Sequence, residues 1–457
     1  MKVVVIGGGP GGYVAAIRAA MLGADVTLVE KRKVGGTCLN VGCIPTKSLL
    51  ASSDVLEMIN QSKSYGINID GNIEIDFTKV MERKDKIVDQ LVKGIEFIFD
   101  KKGVKLINGF GKLVDKNKIE VEKTDGTKEV LEADKIILAT GSVPIVPPIF
   151  PYDGKKVITS DEALYLENPP KSMIIVGGGV IGCEFGQFFS RIGTKVTIVE
   201  MADQLLPFED KDVAKQLARA FKKDKIKMMT SRKIEKCEVK DDKVIAYLDG
   251  DTILEAETML VSVGRKPYLE KLGLEDIGID VERGKVVVNT KMETNVADIY
   301  AIGDIVDTPF LAHVASKEGI VAVENALGKD KEVSYRAVPR CIYTSPEVAA
   351  VGMTEKEAEA KGISYHTGNF DFRGLGKAQA IGQFQGFIKV LTDDEDKIIG
   401  AAIVGPHATD LLAELTLAVE LQLTAEQVGS IIHPHPTLSE GIMEALHDVH
   451  KACVHSV

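Results

Sequence analysis

A chain of 457 residues is longer than one ordinary core can organise, so three or four domains are expected. Apolar residues make up 45% and charged residues 27%, with a formal net charge of −11 carried by interspersed acids and bases. The absence of a basic stripe excludes nucleic acid as a partner, and no uncharged apolar run reaches the roughly 18–20 residues of a membrane span.

Residues 2–30 read KVVVIGGGPGGYVAAIRAAMLGADVTLVE. Lys2, apolar residues and small side chains imitate a secretory signal, but glycines cluster inside the apolar part and Arg18 interrupts it. The pattern reads instead as a β-branched strand, a glycine turn, a helix and a second strand ending in Glu30. Gly7, Gly9 and Gly12 form G-x-G-x-x-G. The first permits the tight turn, the second lets backbone approach a pyrophosphate, and the third lets helix and strand pack closely. The helix N-terminus offers unpaired N–H groups to the phosphates. Residues 172–200, SMIIVGGGVIGCEFGQFFSRIGTKVTIVE, repeat the pattern without a gap, with Gly177, Gly179, Gly182 and Glu200 at the matching places. A structural turn would explain one copy. Two copies, each with an acid placed to accept from ribose hydroxyls, point to two bound dinucleotides. MADQLLPFED, residues 201–210, holds no Arg or Lys to meet a 2′-phosphate, so the second is expected to be NAD rather than NADP.

Between the copies lies GGTCLNVGCIPTKSLL, residues 35–50, with Cys38 and Cys43 in a glycine-flanked loop. A metal site would need further ligands, which the neighbourhood lacks. Two inert thiols are the plain alternative, and a redox-active disulfide is the reading that uses the setting. The expected location is cytoplasmic, where structural disulfides are rare. Pro45 suits the first turn of a helix, which puts Cys43 just ahead of an N-terminus that favours a thiolate. A thiol pair does not readily pass hydride to nicotinamide, whereas a flavin accepts electrons from a thiolate and releases hydride, so FAD is expected in the first site. Cys183, Cys237, Cys341 and Cys453 lack such a setting and are expected to be core or surface thiols. Farther on, KIILATGSVP (residues 135–144) is echoed by TMLVSVGRKP (residues 258–267), each an apolar strand that closes a nucleotide domain.

GGTCLNVGCIPTK matches at every position the active-site signature of the flavin-dependent disulfide oxidoreductases, the class I pyridine nucleotide-disulfide family. Within it the sequence resembles the dihydrolipoamide dehydrogenases. The likeness continues through ATGS (residues 139–142), AIGD (residues 301–304) and HPHPTLSE (residues 433–440). It implies an α/β fold of two Rossmann-like dinucleotide-binding domains plus a C-terminal α+β dimerisation domain. The expected order is an FAD-binding domain over 1–147, an NAD-binding domain over 148–267, the second part of the FAD-binding domain over 268–335, and the interface domain over 336–457. For FAD it implies Gly111, Thr140, Gly141, Ser142, the backbone of Leu311, Ala312 and His313, and Asp304 on the ribityl chain. Unaided, Asp304 reads equally as a helix N-cap. Lys47 is implied to lie by the flavin ring, paired with Glu184 where nicotinamide approaches, with Ile181 and Gly264 also on NAD. His435 is implied to be the acid–base group and Glu440 its partner, reaching from a second subunit into the cysteine site of an obligate homodimer. Histidine suits proton transfer near neutral pH, although by itself the stretch reads as a prolyl turn. Pro434 departs from the usual small residue. His447, His450 and His455 are irregularly spaced, and no metal is expected.

The activity implied is oxidation of protein-bound dihydrolipoamide to lipoamide, with reduction of NAD+ through FAD and a Cys38–Cys43 disulfide. The partner implied is a lipoylated carrier protein of a 2-oxoacid dehydrogenase, acetoin or glycine cleavage complex. Because the chain opens on its nucleotide strand, that carrier is expected on another polypeptide. Three alternatives have discriminating features. A glutathione-type reductase calls for Arg after Glu200, and a mercuric-type enzyme for a C-terminal Cys pair. A non-catalytic redox-sensing flavoprotein has no use for a proton shuttle at His435 and Glu440.

Overall fold

β-Branched runs bounded by glycine turns build two parallel sheets, and an antiparallel third closes the chain. The computed structural model describes residues 1–455. In the first sheet, strand Lys2–Ile6 lies between Asp25–Glu30 and Lys135–Leu138, all parallel, with Ile299–Ala301 outside the latter. Val3, Val5, Leu28 and Ile137 are fully buried, as expected of parallel strands covered on both faces. Lys105–Asp115 continues the sheet and then turns antiparallel into Lys118–Lys123 and Lys128–Glu132. The helices Pro10–Met21 and Ala312–Ala326 pack together on one face.

The second sheet repeats this plan. Ser172–Val176 lies between Lys195–Val199 and Thr258–Val261, with Lys227–Met229 and Val157–Ile158 at the edges, all parallel. Lys2 stands opposite Asp25 in the first sheet, and Ser172 stands opposite Lys195 in the second. The sequence repeat is therefore also a repeat of register. A three-stranded meander, Ile234–Lys240, Lys243–Leu248 and Thr252–Ala256, follows here as one does in the first sheet. Ser142–Pro144 and Arg265–Pro267 pair antiparallel where the chain crosses between the sheets.

The third sheet is antiparallel and five-stranded, in the order Arg340–Ile342, Glu347–Gly352, Ile398–Gly405, Phe387–Thr392, His366–Asp371. The helices Ala408–Glu420 and Glu440–Val449 bury Leu412, Leu415, Ile442 and Leu446 against it. Among the described residues no helix is long and apolar enough to cross a membrane.

Around the cysteines the structure corrects two details. Cys38 lies not in a loop but in a short helix, Gly36–Val41. Cys43 is the first residue of helix Cys43–Asn60 rather than a residue ahead of it, and Pro45 is third. Proline is tolerated there because the first four N–H groups of a helix have no intrahelical partner. Thr46 closes the first turn, its N–H and hydroxyl both donating to Gly42 O at 3.2 and 2.7 Å.

Candidate active site

Each part of the two glycine turns can be checked against what surrounds it. Gly7 and Gly177 hold φ of +105° and +102°, and a Cβ there would lie 2.2 Å from Ala139 O or 2.5 Å from Ser262 O. At Gly12 and Gly182 a Cβ would strike the carbonyl of the turn itself, 1.9 Å from Gly7 O and 2.0 Å from Gly177 O. Helix and strand touch at these points. The middle glycines differ. A Cβ on Gly9 would meet one atom at 3.9 Å, and a Cβ on Gly179 nothing within 4 Å. Nothing in the protein forbids a side chain there, so the open space is what a pyrophosphate would fill.

Three helix N-termini adjoin this space without a side-chain cap: Pro10–Met21 behind Gly9, Ala312–Ala326 behind Leu311, and Val180–Arg191 behind Gly179. Their free N–H groups and dipoles suit phosphate. The two strand-end acids behave alike. Glu30 accepts from Gly8 N at 2.6 Å and Arg32 N at 2.7 Å, while Glu200 accepts from Gly178 N at 2.6 Å and Ala202 N at 2.7 Å. Each oxygen keeps a second lone pair for a ribose hydroxyl.

A single cavity of about 1760 Å³ runs from the first turn to the cysteines. That is larger than the space most small ligands need, and dinucleotide-sized. Its lining includes Gly7, Gly9, Glu30, Cys38, Cys43, Lys47, Gly111, Thr140, Gly141 and Ser142. It also includes Gly179, Ile181, Glu184, Asp304, Leu311, Ala312 and His313. Gly12, Gly177, Gly182, Glu200 and Gly264 do not line it. The first three of these sit behind the turns. Glu200 lies at the end of its strand, and Gly264 (φ +131°) bonds Ile145 N in the crossing ribbon.

Cys38 and Cys43 are free thiols here, within hydrogen-bonding reach of each other. They are not equivalent. Donation from Cys38 and the nearby Lys47 ammonium outweigh burial and the Glu184 charge, and lower the Cys43 thiol to about 7. Cys38 is pushed upward, first as the donor to Cys43 and then by burial. Of the two sulfurs, Cys43 is the one on which these surroundings favour charge. Lys47 Nζ donates to both oxygens of Glu184, at 2.9 and 2.8 Å, and the Glu184 side chain is only 4% exposed. A carboxylate so enclosed is tolerated because the lysine neutralises it.

Deeper along the cavity, Ser142 Oγ donates to Asp304 Oδ2 at 2.5 Å. Burial raises the Asp304 carboxyl against the pull of Ser142 and Arg265. Arg265 was not anticipated. Its Nε donates to Ser142 Oγ and its Nη2 to Ser142 O, both at 2.8 Å, from the crossing ribbon. The sequence carries it in VSVGRKP, where the strand reading explained the neighbours and left the arginine unused. Cys341, expected to be a plain core or surface thiol, also lines the cavity; burial raises it to about 11, so it stays protonated.

His435 and Glu440 lie outside the cavity lining. Glu440 Oε2 accepts from Thr437 N, and its Oε1 meets His435 Nδ1, both at 2.8 Å. Burial works to raise the Glu440 carboxyl, but the bonds from Thr437 and His435 prevail and lower it. The ring is thereby oriented, with Nε2 directed away on a side chain 76% exposed. His433, by contrast, is packed away with Glu414 at 2.9 Å. Of the tail histidines, His450 pairs with Asp396 and His455 with Glu444.

A family model described as pyridine nucleotide-disulphide oxidoreductase matches residues 1–319, and its dimerisation domain matches residues 338–446. The chain is 44% identical to a dihydrolipoyl dehydrogenase of Bacillus subtilis, covering 97% of this chain and 96% of that one. It is 40% identical to mitochondrial dihydrolipoyl dehydrogenase 1 of Arabidopsis thaliana, covering 99% and 91%. Among solved structures it superposes on LpdA from Mycobacterium tuberculosis with a TM-score of 0.92 and 28% identity, over 98% of this chain and 99% of the other.

Proposed function

This chain belongs to the pyridine nucleotide-disulphide oxidoreductase family, and from that premise we propose how its residues oxidise dihydrolipoamide to lipoamide and reduce NAD+. The enzyme works through FAD and a redox-active cysteine pair. The uncapped helix ends, the open space at Gly9 and the free lone pairs on Glu30 support FAD at the first turn, and the matching features at Gly179 and Glu200 support NAD at the second. Residues 1–147 and 268–335 then hold FAD, 148–267 hold NAD, and 336–457 form the dimer interface.

The cycle begins with Cys38 and Cys43 joined as a disulfide. His435 of the partner subunit, oriented by its glutamate, takes a proton from one substrate thiol on Nε2. The resulting thiolate attacks Cys38 Sγ, the disulfide opens, and Cys43 leaves as a thiolate. That leaving group suits its surroundings, since the Lys47 ammonium favours charge on Cys43. The second substrate thiol then attacks the mixed disulfide and releases lipoyl disulfide together with the Cys38 thiol. FAD, when bound, would supply the two-electron acceptor that links thiolate oxidation to hydride delivery to NAD+; the part of this chain is to re-form the Cys38–Cys43 disulfide, Cys38 giving up its thiol proton as Cys43 gives up its charge. Lys47 and Glu184 hold their positions between the cysteine and nicotinamide sides as a nearly neutral pair. Ser142, Asp304 and Arg265 would hold the sugar-like chain of the flavin.

The observation that carries this reading is the asymmetry of the cysteine pair beside a dinucleotide-sized cavity. We further propose that the physiological substrate is a lipoyl group on a separate carrier protein of a 2-oxoacid dehydrogenase, acetoin or glycine cleavage complex. The location proposed with it is a reducing cytoplasm, where structural disulfides are rare. Steady-state rates with NAD+ against NADP+, using dihydrolipoamide or reduced glutathione, test the specificity. A preference for NADP+ or for glutathione would overturn it.

A further inference from the structure

Tyr343 stands where three parts of the molecule meet, and the cycle above makes no use of it. It follows strand Arg340–Ile342 of the third sheet and lines the cavity with Cys43, Lys47 and Glu184. Its backbone N–H donates to Glu184 Oε1 at 3.0 Å. Its ring faces Lys47 Nζ, 4.5 Å from the centroid. The ammonium thus has Glu184 at one side and an aromatic face at the other, on a side chain 28% exposed. A ring quadrupole attracts an ammonium more strongly where water is partly excluded.

We propose that Tyr343 is a positioning residue, its ring holding the Lys47 ammonium against Glu184 and within range of Cys43. The inference rests on the reading of Cys43 as the redox thiolate. The charged or titratable groups that face Cys43 are Cys38, Lys47, Glu184, Arg265 and Tyr343. Tyr343 also faces Cys341 and Glu347. Lys47 favours the thiolate and Glu184 opposes it. If the ammonium drifts into water, the carboxylate's influence remains and the thiolate is disfavoured. Burial raises the Tyr343 hydroxyl to about 12, so near neutrality the residue acts through its neutral ring.

The test uses FAD-loaded protein carrying Cys38→Ser, which leaves Cys43 as the thiol beside the flavin. The long-wavelength absorbance of a thiolate against oxidised flavin is titrated across the neutral range. Adding Tyr343→Leu is expected to raise the midpoint by about half a pH unit to one unit, while adding Tyr343→Phe leaves it in place. A merely structural tyrosine would alter melting temperature without separating phenylalanine from leucine in this titration. Tyr343 is 37% exposed, so the leucine variant is expected to fold; Tyr343→Met carries the same expectation should it not. A normal band with an unmoved midpoint in the leucine variant, or an equal rise in the phenylalanine variant, overturns the role of Tyr343 alone. No band in Cys38→Ser itself overturns the reading of Cys43, and this inference with it.

Discussion

At Cys43 several neighbours act on one sulfur, and their balance decides which thiol carries charge. Donation from Cys38 and the field of Lys47 act against burial and Glu184, and the former prevail. Changing Cys43 to Ser is therefore expected to leave FAD bound, read as the flavin-to-protein absorbance ratio, while dihydrolipoamide turnover disappears. Full turnover in that variant would refute the proposed relay. In the proposed cycle His435 makes a different contribution, through a proton alone. His435→Gln is expected to lower dihydrolipoamide oxidation by about 10²–10⁴-fold, while NADH-driven reduction of an artificial acceptor at the flavin is largely spared. Equal losses in both assays would mean that the histidine has another role.

At the scale of elements, the glycine turns were the most legible part of the sequence, because a Cβ added at Gly7, Gly12, Gly177 or Gly182 would lie 1.9–2.5 Å from a backbone oxygen, which leaves room for no other residue. Gly182→Ala tests one such contact. The added carbon would meet Gly177 O, at a cost of about 1–3 kcal/mol, and NAD+ binding is expected to weaken roughly tenfold or more. Flavin content should stay unchanged, and titration with NADH reads the difference. Unaltered NADH affinity would show that helix and turn can part without consequence. The helix start at Cys43 was displaced from its expected place because Pro45 is compatible with several of the first helical positions. Arg265 and Tyr343 were illegible for another reason. Their partners lie 123 and 159 positions away in the chain, at Ser142 and Glu184, so no local pattern marks them.

Across the whole molecule, the unit around the second sheet is tied to the third sheet through buried charge. Lys389, whose side chain is 2% exposed, meets Asp210 at 2.8 Å, Asp212 at 2.9 Å and Glu355 at 3.0 Å. Beside it Arg340 grips Glu209 at 2.9 and 3.2 Å. Lys389→Met would leave three carboxylates without their common cation, and a loss of about 3–5 kcal/mol is expected from denaturant unfolding. A change below about 1 kcal/mol would show that water or rearrangement neutralises the cluster. The dimerisation domain and the outward-facing His435 together make the assembled pair the catalytic unit in the proposed cycle. The most direct measurement is anaerobic mixing of the FAD-loaded protein with dihydrolipoamide, first alone and then with NAD+. Expected are immediate reduction with a long-wavelength thiolate–flavin band, and then NADH formed in step with lipoamide. A fully loaded protein whose spectrum stays oxidised, and which yields no NADH, would contradict the account at its centre.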